Sequence, residues 1–333
     1  MPARLIAQAP FLLRSATNGL GRIGVLPVPA EQSPKGHLQG EHNALHRGRN
    51  LHQLRCSLPL RLAVLGICLL WTIPTLGLLV TSIRDPLYIT KTGWWTALFS
   101  PLDPPNQWTL SNYSTVIASD GMGNSFINSM IVAIPSTVIP ITIAAFAAYA
   151  FAWIPFRGRG ILFTIVVGLL VVPIQMSLIP ILQIYSAGSL YGTFLGIWLA
   201  HTGFGLPLAI FLLYNFISQL PRDLFESAAI DGASHLQAFI QIVLPLSIPA
   251  IGAFAIFQFL WVWNDLLVAL VFLGPGADVR VLPTALYQLI GSRGGSWHLL
   301  TAGAFITMVV PLIVFLLLQR AFVRGILAGS VKS

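Results

Sequence analysis

Long apolar stretches alternate with short polar connections along most of this chain. From Gly160 through Pro221 there is no Lys, Arg, Asp or Glu. One membrane span takes about 20 residues, so this run must hold more than one. The apolar pattern predicts six spans, at residues 60–82, 125–153, 161–185, 192–217, 246–272 and 299–320. Since the bilayer core offers no water to backbone groups, each span is expected to be a helix, and the predicted fold class is an all-α membrane protein.

The composition agrees with a membrane protein. The chain is 56% apolar and 8% charged, whereas soluble domains carry about 25% charged residues. The net charge of +8 could suggest nucleic acid, but the basic residues flank the predicted spans, so no nucleic-acid partner is expected. Cys56 and Cys68 are too few for a disulfide framework.

The first 55 residues differ from the remainder. They show no sustained periodicity, and we expect a disordered cytoplasmic tail or sequence translated upstream of the true start. Four histidines fall here, His37, His42, His46 and His52. A metal site is not favoured, because ligands on a disordered tail lack a fold to hold their geometry. Residues 56–333 are predicted to form the transmembrane domain.

Basic residues predict the orientation of the spans. With the N-terminus inside, the inner side holds eight residues: Arg55, Arg61, Arg157, Arg159, Arg222, Arg320, Arg324 and Lys332. The outer side then holds four: Arg84, Lys91, Arg280 and Arg293. Because cytoplasmic flanks carry the excess of Lys and Arg, both termini are expected in the cytoplasm.

A polar connection, residues 221–245, lies between the fourth and fifth predicted spans. Pro221 suits a first helical turn. Helical spacing then places two groups on opposite faces: Asp223, Glu226 and Ile230 on one, and Leu224, Phe225, Ala228 and Ala229 on the other. Gly232 can take the positive φ that ends a helix, and Ser234 can cap a second helix over residues 235–243. An apolar face packed on the spans would leave Asp223 and Glu226 pointing outward.

The sequence of this connection, ESAAIDGASHLQAFIQIVLP from Glu226 to Pro245, resembles the EAA coupling loop of ABC-importer permeases. The family pattern is E-A-A, a glycine six positions after the Glu, and I-x-L-P, matched here except that Ser227 stands where Ala is usual. The resemblance implies that eight residues contact a cytoplasmic ATPase: Asp223, Glu226, Ala228, Asp231, Gly232, Ile242, Leu244 and Pro245. The alternative is an ordinary amphipathic cytoplasmic hairpin.

Three further segments resemble the carbohydrate (MalG-like) branch of these permeases. They are WTLSNY from Trp108, WVWND from Trp261, and FVRGILAGSVK from Phe322, where Ser330 replaces the usual Ala. The resemblance runs from about Arg61 to the end of the chain. It implies a multi-pass permease of the bacterial inner membrane that imports a sugar or a sugar-like osmolyte.

Polar residues within the spans are candidates for the solute path. Asp265 is the only acid in any predicted span, and a buried charge in lipid is expensive. Gln258 and Asp265 are seven residues apart, so we expect them on nearly one face with Trp261 between them. Further candidates are Asn264, Asn128 and Gln175. Alternatively, Asp265 lies near the outer end of its span, packs structurally and pairs with a partner subunit. His201 is interpreted as a helix-packing or interfacial residue.

The resemblance also implies which partners share the work. No Gly-Lys-Ser/Thr sequence occurs, so the phosphate-binding loop is absent, and ATP and Mg²⁺ would be used by a partner. The expected partners are two cytoplasmic ATPase subunits, a second homologous permease, an extracytoplasmic binding protein and the lipid bilayer. The chain itself is expected to catalyse no covalent chemistry.

Two kinds of alternative function stay open. One is an ABC importer for another solute, such as an amino acid or a polyamine. The other is a secondary transporter, which would need ionisable residues in several spans and related halves. The sequence shows Asp265 alone and no evident repeat.

Overall fold

The structure, a computed structural model, describes residues 35–102, 106–118, 121–292 and 296–328. The described residues form helices with short connections, and one isolated bridge pairs Arg84 with Trp108. The chain divides into two units, residues 1–69 and 70–333. Of the predicted tail, residues 1–34 lie outside the described residues, and residues 35–55 belong to the first helix. The domain boundary at residue 55 stays a prediction.

The helices follow in this order along the chain: α1 (Lys35–Ser82), α2 (Pro86–Ile89), α3 (Thr96–Phe99), α4 (Ser111–Ala118), α5 (Met122–Trp153), α6 (Arg159–Gly168), a 3₁₀ turn (Leu169–Val171), α7 (Ile174–Ala187), α8 (Phe194–Ile217), α9 (Arg222–Ile230), α10 (His235–Ala238), a π-helical turn (Phe239–Val243), α11 (Leu244–Trp263), α12 (Leu267–Phe272), α13 (Leu282–Ser292) and α14 (Trp297–Ala328).

Five helices of the described chain are long and apolar enough to cross a membrane: Leu58–Ser82, Met122–Trp153, Phe194–Ile217, His235–Trp263 and Trp297–Leu317. A sixth span results if the bent pair of α6 and α7 counts as one. The prediction of an all-α membrane protein is therefore confirmed, and the chain is a multi-pass membrane protein. The predicted number of six spans is reached if the bent pair counts as one span.

The third span is broken, although an unbroken helix over 161–185 was predicted. Arg159–Val171 and Ile174–Ala187 meet at an angle of 103°. Val172 is extended, with φ −72° and ψ 117°. The residue before a proline is driven out of the α region by the proline ring, so Pro173 ends one helical segment and starts the next.

The fifth span ends earlier than the predicted residue 272. Its helix begins at His235 and stops at Trp263, and Asn264 leaves the helix with φ −96° and ψ 2°. Asn264 Nδ2 donates to the Leu260 carbonyl at 2.8 Å. Asp265 Oδ2 accepts from the Val268 amide at 3.1 Å, as a helix-capping carboxylate does. The W-N-D segment is thus a helix end followed by a new start, α12.

The core lies where α5, α8 and α11 pack together. One apolar cluster, including Trp263, Phe272 and Leu282, fills the half near the start of α5. A second, including Leu213 and Phe254, fills the half near its end. Four alanines with less than 5% exposure, Ala144, Ala145, Ala148 and Ala209, line the second contact. Small residues let backbones approach closely, as in membrane helix pairs generally.

A buried arginine organises the connection between α1 and α5. Arg84 is 1% exposed. Its guanidinium donates to Gln107 Oε1 at 3.1 Å, to Thr92 Oγ1 at 2.6 Å and to the Gly93 carbonyl at 3.0 Å. Burial lowers the pKa of Arg84 from its usual 12.5. The guanidinium is therefore hydrogen-bonded by neutral acceptors. These bonds connect the segments around α2, α3 and the start of α4 to one another.

Candidate coupling and translocation sites

The connection between α8 and α11 contains two short helices joined by a tight turn. Pro221 is the residue before α9, with φ −59° and ψ 133°, rather than within its first turn as predicted. Asp231 follows the helix, and Gly232 has φ +76°. The Gly232 amide donates to the Ala229 carbonyl at 3.1 Å and the Ala233 amide to the Ala228 carbonyl at 2.9 Å. These two bonds form a Schellman motif, which confirms the predicted positive φ at Gly232.

The second short helix starts with a capping box. The Gln237 amide donates to Ser234 Oγ at 3.3 Å, and the Ser234 amide donates to Gln237 Oε1 at 2.8 Å. The prediction that Ser234 caps this helix is confirmed. From His235 the helix continues through a π-helical turn into α11. Such π-turns occur frequently at functional sites.

Aromatic contacts fasten this connection to the end of α5. Phe225 stacks on Trp153, with ring centroids 3.8 Å apart, and Trp153 Nε1 donates to the Ile217 carbonyl at 3.1 Å. The Tyr149 hydroxyl lies 3.1 Å from His235 Nδ1. Both short helices are therefore held by the same end of one span. These partners are 72 and 86 residues apart in sequence (225 − 153 and 235 − 149), and no local pattern pointed to them.

The two short helices also line an open groove of about 420 Å³, which we call the coupling groove. Its lining residues are Leu224, Ser227, Ala228, Asp231, Gly232, Ala233, Gln237, Ala238, Gln241 and Ile242. The prediction that Leu224 packs on the spans is wrong: its side chain is 39% exposed and lines the groove. It lies one residue before Phe225, and so about 100° around the helix from the side chain that contacts Trp153.

Four of the eight predicted coupling residues line this groove, namely Ala228, Asp231, Gly232 and Ile242. The other four, Asp223, Glu226, Leu244 and Pro245, are exposed beside it. Ile230 is 86% exposed, which is unusual for an isoleucine on a short helix. The surface thus joins carboxylates to uncovered apolar side chains.

A second concave site lies inside the spans, at the break between α6 and α7. It is a cavity of about 300 Å³, which we call the central cavity. Its lining residues are Leu169, Leu170, Val172, Ile174, Ser177, Gly203, Phe204, Gly205, Pro207, Leu208, Phe257, Gln258 and Trp261. Two predicted path residues, Gln258 and Trp261, therefore lie together on this cavity.

Asp265 does not share the central cavity, contrary to the predicted stripe with Gln258 and Trp261. Because Asn264 ends the helix, the seven-residue spacing no longer keeps them on one face. Asp265 lines a narrow space beside His201, whose Nε2 lies 3.8 Å from Asp265 Oδ2. His201 is 1% exposed, and its ring meets Trp261 edge-to-face at 5.7 Å. His201 packs between helices as interpreted, and it also faces the carboxylate, which sequence reasoning did not foresee.

The remaining path candidates have other surroundings. Asn128 Nδ2 donates to the carbonyls of Asp278 and Arg280 at 2.8 and 2.9 Å, so its amide holds the segment before α13. Asn264 is exposed at the end of α11, and Gln175 is exposed in the first turn of α7. Neither lines the central cavity.

These features define a class: a helical membrane transport protein with a broken span, a cavity among its helices and a groove on one connecting loop. Residues 140–328 match the family described as binding-protein-dependent transport system inner membrane component. The chain belongs to this family. It is a permease subunit of a transporter.

Individual relatives agree. The osmoprotective compounds uptake permease protein GgtD of Synechocystis is 60% identical, over 83% of this chain and 92% of that protein. The alpha-glucoside transport system permease protein AglG of Rhizobium meliloti is 48% identical, over 81% of this chain and 96% of that protein.

A solved structure shares the fold. It is the crystal structure of a bacterial ABC transporter involved in the import of the acidic polysaccharide alginate. One of its chains matches with a TM-score of 0.65 at 18% identity, over 88% of this chain and 99% of that chain. At this identity, the match shows the fold alone.

Proposed function

We propose that this chain forms part of the translocation path of an ATP-driven importer for a sugar or a sugar-like osmolyte. The observation that carries the proposal is one helix that links both sites. His235–Trp263 is continuous over 29 residues. It contributes Gln241 to the coupling groove, and Gln258 and Trp261 to the central cavity.

This helix provides a mechanical connection. At 1.5 Å per residue, Gln241 and Gln258 are separated by about 25 Å along its axis. A partner that moves the coupling groove therefore moves the wall of the central cavity. The same movement would reach α5 through two contacts. Phe225 stacks on Trp153, and the Tyr149 hydroxyl lies beside His235.

The driving partner is proposed to be a cytoplasmic ATPase that uses ATP and Mg²⁺, present in two copies. Its docking element would enter the coupling groove, where Leu224 offers apolar surface. Outside the groove, the exposed Ile230 would add apolar surface, and Asp223 and Glu226 would add negative charge. Charged rims steer encounter and fix register. Both termini and the groove would face the cytoplasm, as the count of basic residues favours. A second homologous permease would complete the path, and an external binding protein would deliver the solute.

The solute class rests on the relatives and on the cavity. The names of three relatives refer to osmoprotective compounds, alpha-glucosides and trehalose. The residues lining the central cavity include no charged side chain. A neutral, hydroxylated solute fits such a lining, whereas an amino acid or a polyamine would enter with unpaired charge, which is costly in a membrane interior.

The test is reconstitution of the whole complex. The chain would be purified with its second permease and ATPase and placed in proteoliposomes with the binding protein. Uptake of ¹⁴C-labelled maltose, trehalose and sucrose would be measured with and without ATP. We expect ATP-dependent uptake of at least one of these sugars.

The alternatives give different results. ATP-dependent uptake of labelled putrescine or glutamate, with none of the three sugars, would favour an importer for another solute. Uptake driven by an ion gradient without the ATPase would favour a secondary transporter. Either result would contradict the proposal.

A further inference from the structure

A polar pocket lies at the start of α5, the end of that helix away from the coupling groove. Its volume is about 290 Å³, and we call it the α5 pocket. Its lining residues are Gly121, Asn124, Ser125, Ile127, Asn128, Ala277, Asp278 and Arg280. It shares no lining residue with the coupling groove or the central cavity, so neither of those sites explains it.

Two neighbouring side chains of α5 hold the opposite wall of this pocket in place. Asn128 Nδ2 donates to the carbonyls of Asp278 and Arg280 at 2.8 and 2.9 Å. Ser129 Oγ accepts from the Leu282 amide at 2.8 Å. The backbone from 278 to 282 is therefore fixed to α5 at both ends, and the pocket is a built feature of the fold.

The α5 pocket carries one positive and one negative side chain that are not paired with each other. Arg280 Nε is buried and has no hydrogen-bond partner among the residues that the structure describes. Asp278 is exposed, and the ion pair of the described chain joins His201 and Asp265 instead. A buried charged donor without a partner is costly. A ligand with a negative group for Arg280 and a positive group for Asp278 would remove that cost.

The length of α5 places this pocket at the level of lipid headgroups. The helix has 32 residues, which at 1.5 Å each is about 48 Å, whereas the hydrocarbon core of a bilayer is about 30 Å thick. The ends of α5 therefore extend into the headgroup layers, and residues 121–128 form one of these ends. The count of basic residues predicts that this is the outer leaflet.

An exposed apolar stripe runs along α5 from the pocket. It consists of Ile127, Ile131, Ile134 and Val138, all exposed, which share one face of the helix at i, i+4, i+7 and i+11. The stripe starts at the pocket wall, since Ile127 lines the pocket. It extends about 16 Å, close to half the thickness of the hydrocarbon core. An acyl chain of one leaflet covers the same distance.

We propose that the α5 pocket binds the headgroup of phosphatidylethanolamine, with the phosphate on Arg280, the ammonium beside Asp278 and one acyl chain along the Ile127–Val138 stripe. Basic pockets between membrane helices bind lipid headgroups, and a zwitterionic headgroup matches both charges of this one. An anionic headgroup would meet the carboxylate of Asp278 instead. The bound lipid would connect α5 to the segment before α13. The inference does not depend on which solute is transported.

The first experiment measures lipid binding through thermal stability. The complex with its second permease and ATPase is purified in detergent, delipidated and titrated with dioleoylphosphatidylethanolamine. Arg280→Gln removes the charge, Arg280→Lys keeps one, and Arg159→Gln is the matched control, an exposed arginine outside the pocket. The lipid should raise the melting temperature of the wild type and of the control alike. Arg280→Gln should need about tenfold more lipid for the same rise, and Arg280→Lys should lie between.

A measurement without lipid separates binding from folding. Arg280→Gln should then melt no lower than the wild type and should still assemble with the ATPase, because the Nε that it removes has no partner in the described chain. The weaker response to lipid would therefore report a lost contact with the headgroup.

A second series of ligands identifies what the pocket recognises. Dioleoylphosphatidylglycerol carries only the negative charge and should stabilise the wild type less than the ethanolamine lipid does. Asp278→Ala should remove most of that difference without weakening the ethanolamine lipid, because an exposed ion pair contributes little. Phosphoethanolamine and inorganic phosphate lack acyl chains and should cause no shift at the same concentrations.

Photo-crosslinking locates the acyl chain. Phosphatidylethanolamine with a diazirine in one chain is irradiated with the wild-type complex, and the modified residues are identified by mass spectrometry. Modification is expected within residues 127–138. Arg280→Gln should reduce it relative to modification at Leu312 and Ile313, exposed apolar residues of α14 that report lipid at an ordinary membrane surface.

Four results would overturn the proposal. One is an equal response to phosphatidylethanolamine in Arg280→Gln and the wild type. Another is stabilisation by phosphate or phosphoethanolamine alone, which would indicate an anion site without a lipid. A third is equal stabilisation of the wild type by the two lipids. The last is a subunit interface on the stripe: a photo-reactive maleimide on Ile134→Cys, in a Cys56→Ser and Cys68→Ser background, would join the second permease, and residues 127–138 would not be modified by lipid.

Discussion

Two substitutions of Asp265 can distinguish a helix-capping role of its side chain from a role of its negative charge. Asparagine removes the charge but can still cap a helix, whereas alanine removes both. Its carboxylate accepts from the Val268 amide, in the first turn of α12, at 3.1 Å, and Asp265 lies two residues before that helix begins at Leu267. Asparagine caps helices about as well as aspartate, whereas alanine costs roughly 0.5–2 kcal/mol. The contact with His201, at 3.8 Å, is too long for a direct hydrogen bond, so it contributes little to this difference.

We therefore predict that Asp265→Asn assembles and transports like the wild type, while Asp265→Ala loses about 1 kcal/mol. Such a loss lowers the melting temperature of a domain of roughly 150–250 residues by about 2–4 °C, and the shift is smaller for a longer chain such as this one. The assay is thermal denaturation of the purified complex together with sugar uptake. Asp278→Ala is the control, since that exposed residue accepts through its backbone carbonyl.

Two results would refute the reasoning. If Asp265→Asn is as damaging as Asp265→Ala, the charge matters and not the cap. If Asp265→Ala melts with the wild type, the cap contributes nothing to stability.

Other predictions concern the connection around the coupling groove. Gly232→Val should abolish ATPase association, because a branched residue is strained at φ +76°, whereas Gly232→Asn should retain it. Pull-down of the ATPase measures the association of both variants. Equal binding by the two variants would contradict the argument from backbone strain. Phe225→Ala removes the stack on Trp153 and should reduce uptake while the protein still inserts; uptake at the wild-type level would reject the anchor. Ser234→Cys should react with an impermeant maleimide only after cells are opened, and Gly276→Cys in intact cells; the reverse would overturn the orientation.

The spans were predictable because a membrane helix needs only length and apolar composition. The same reasoning gave the wrong end for the fifth span. Residues 266–272 are as apolar as the helix before them, so the apolar composition predicted that the span continues beyond Asn264. Local chemistry decided the end, through the Asn264 and Asp265 side chains bonding to nearby backbone.

The turn of the coupling connection was also predictable, since Gly232 and Ser234 act through bonds within a few residues. The anchors were not. Trp153 and Phe225, or His201 and Asp265, meet only after distant helices pack. The space for the Gln258 side-chain amide likewise depends on Gly205, 53 positions earlier (258 − 205), where a Cβ would lie 2.6 Å from Gln258 Nε2. The sequence alone can indicate that such residues are candidates for a functional site, but it does not predict which of them are in contact.

The central claim is that the coupling groove connects a partner ATPase to the solute path. The most direct test is charge reversal at Glu226, which is exposed beside the groove and touches no span. Arg157→Glu, on the exposed connection after α5, is the matched control. Both variants would be co-purified with the ATPase and assayed for ATP-dependent uptake. The account predicts that Glu226→Lys inserts normally but loses ATPase association and uptake, while Arg157→Glu keeps both. Full association and full uptake by Glu226→Lys would contradict it.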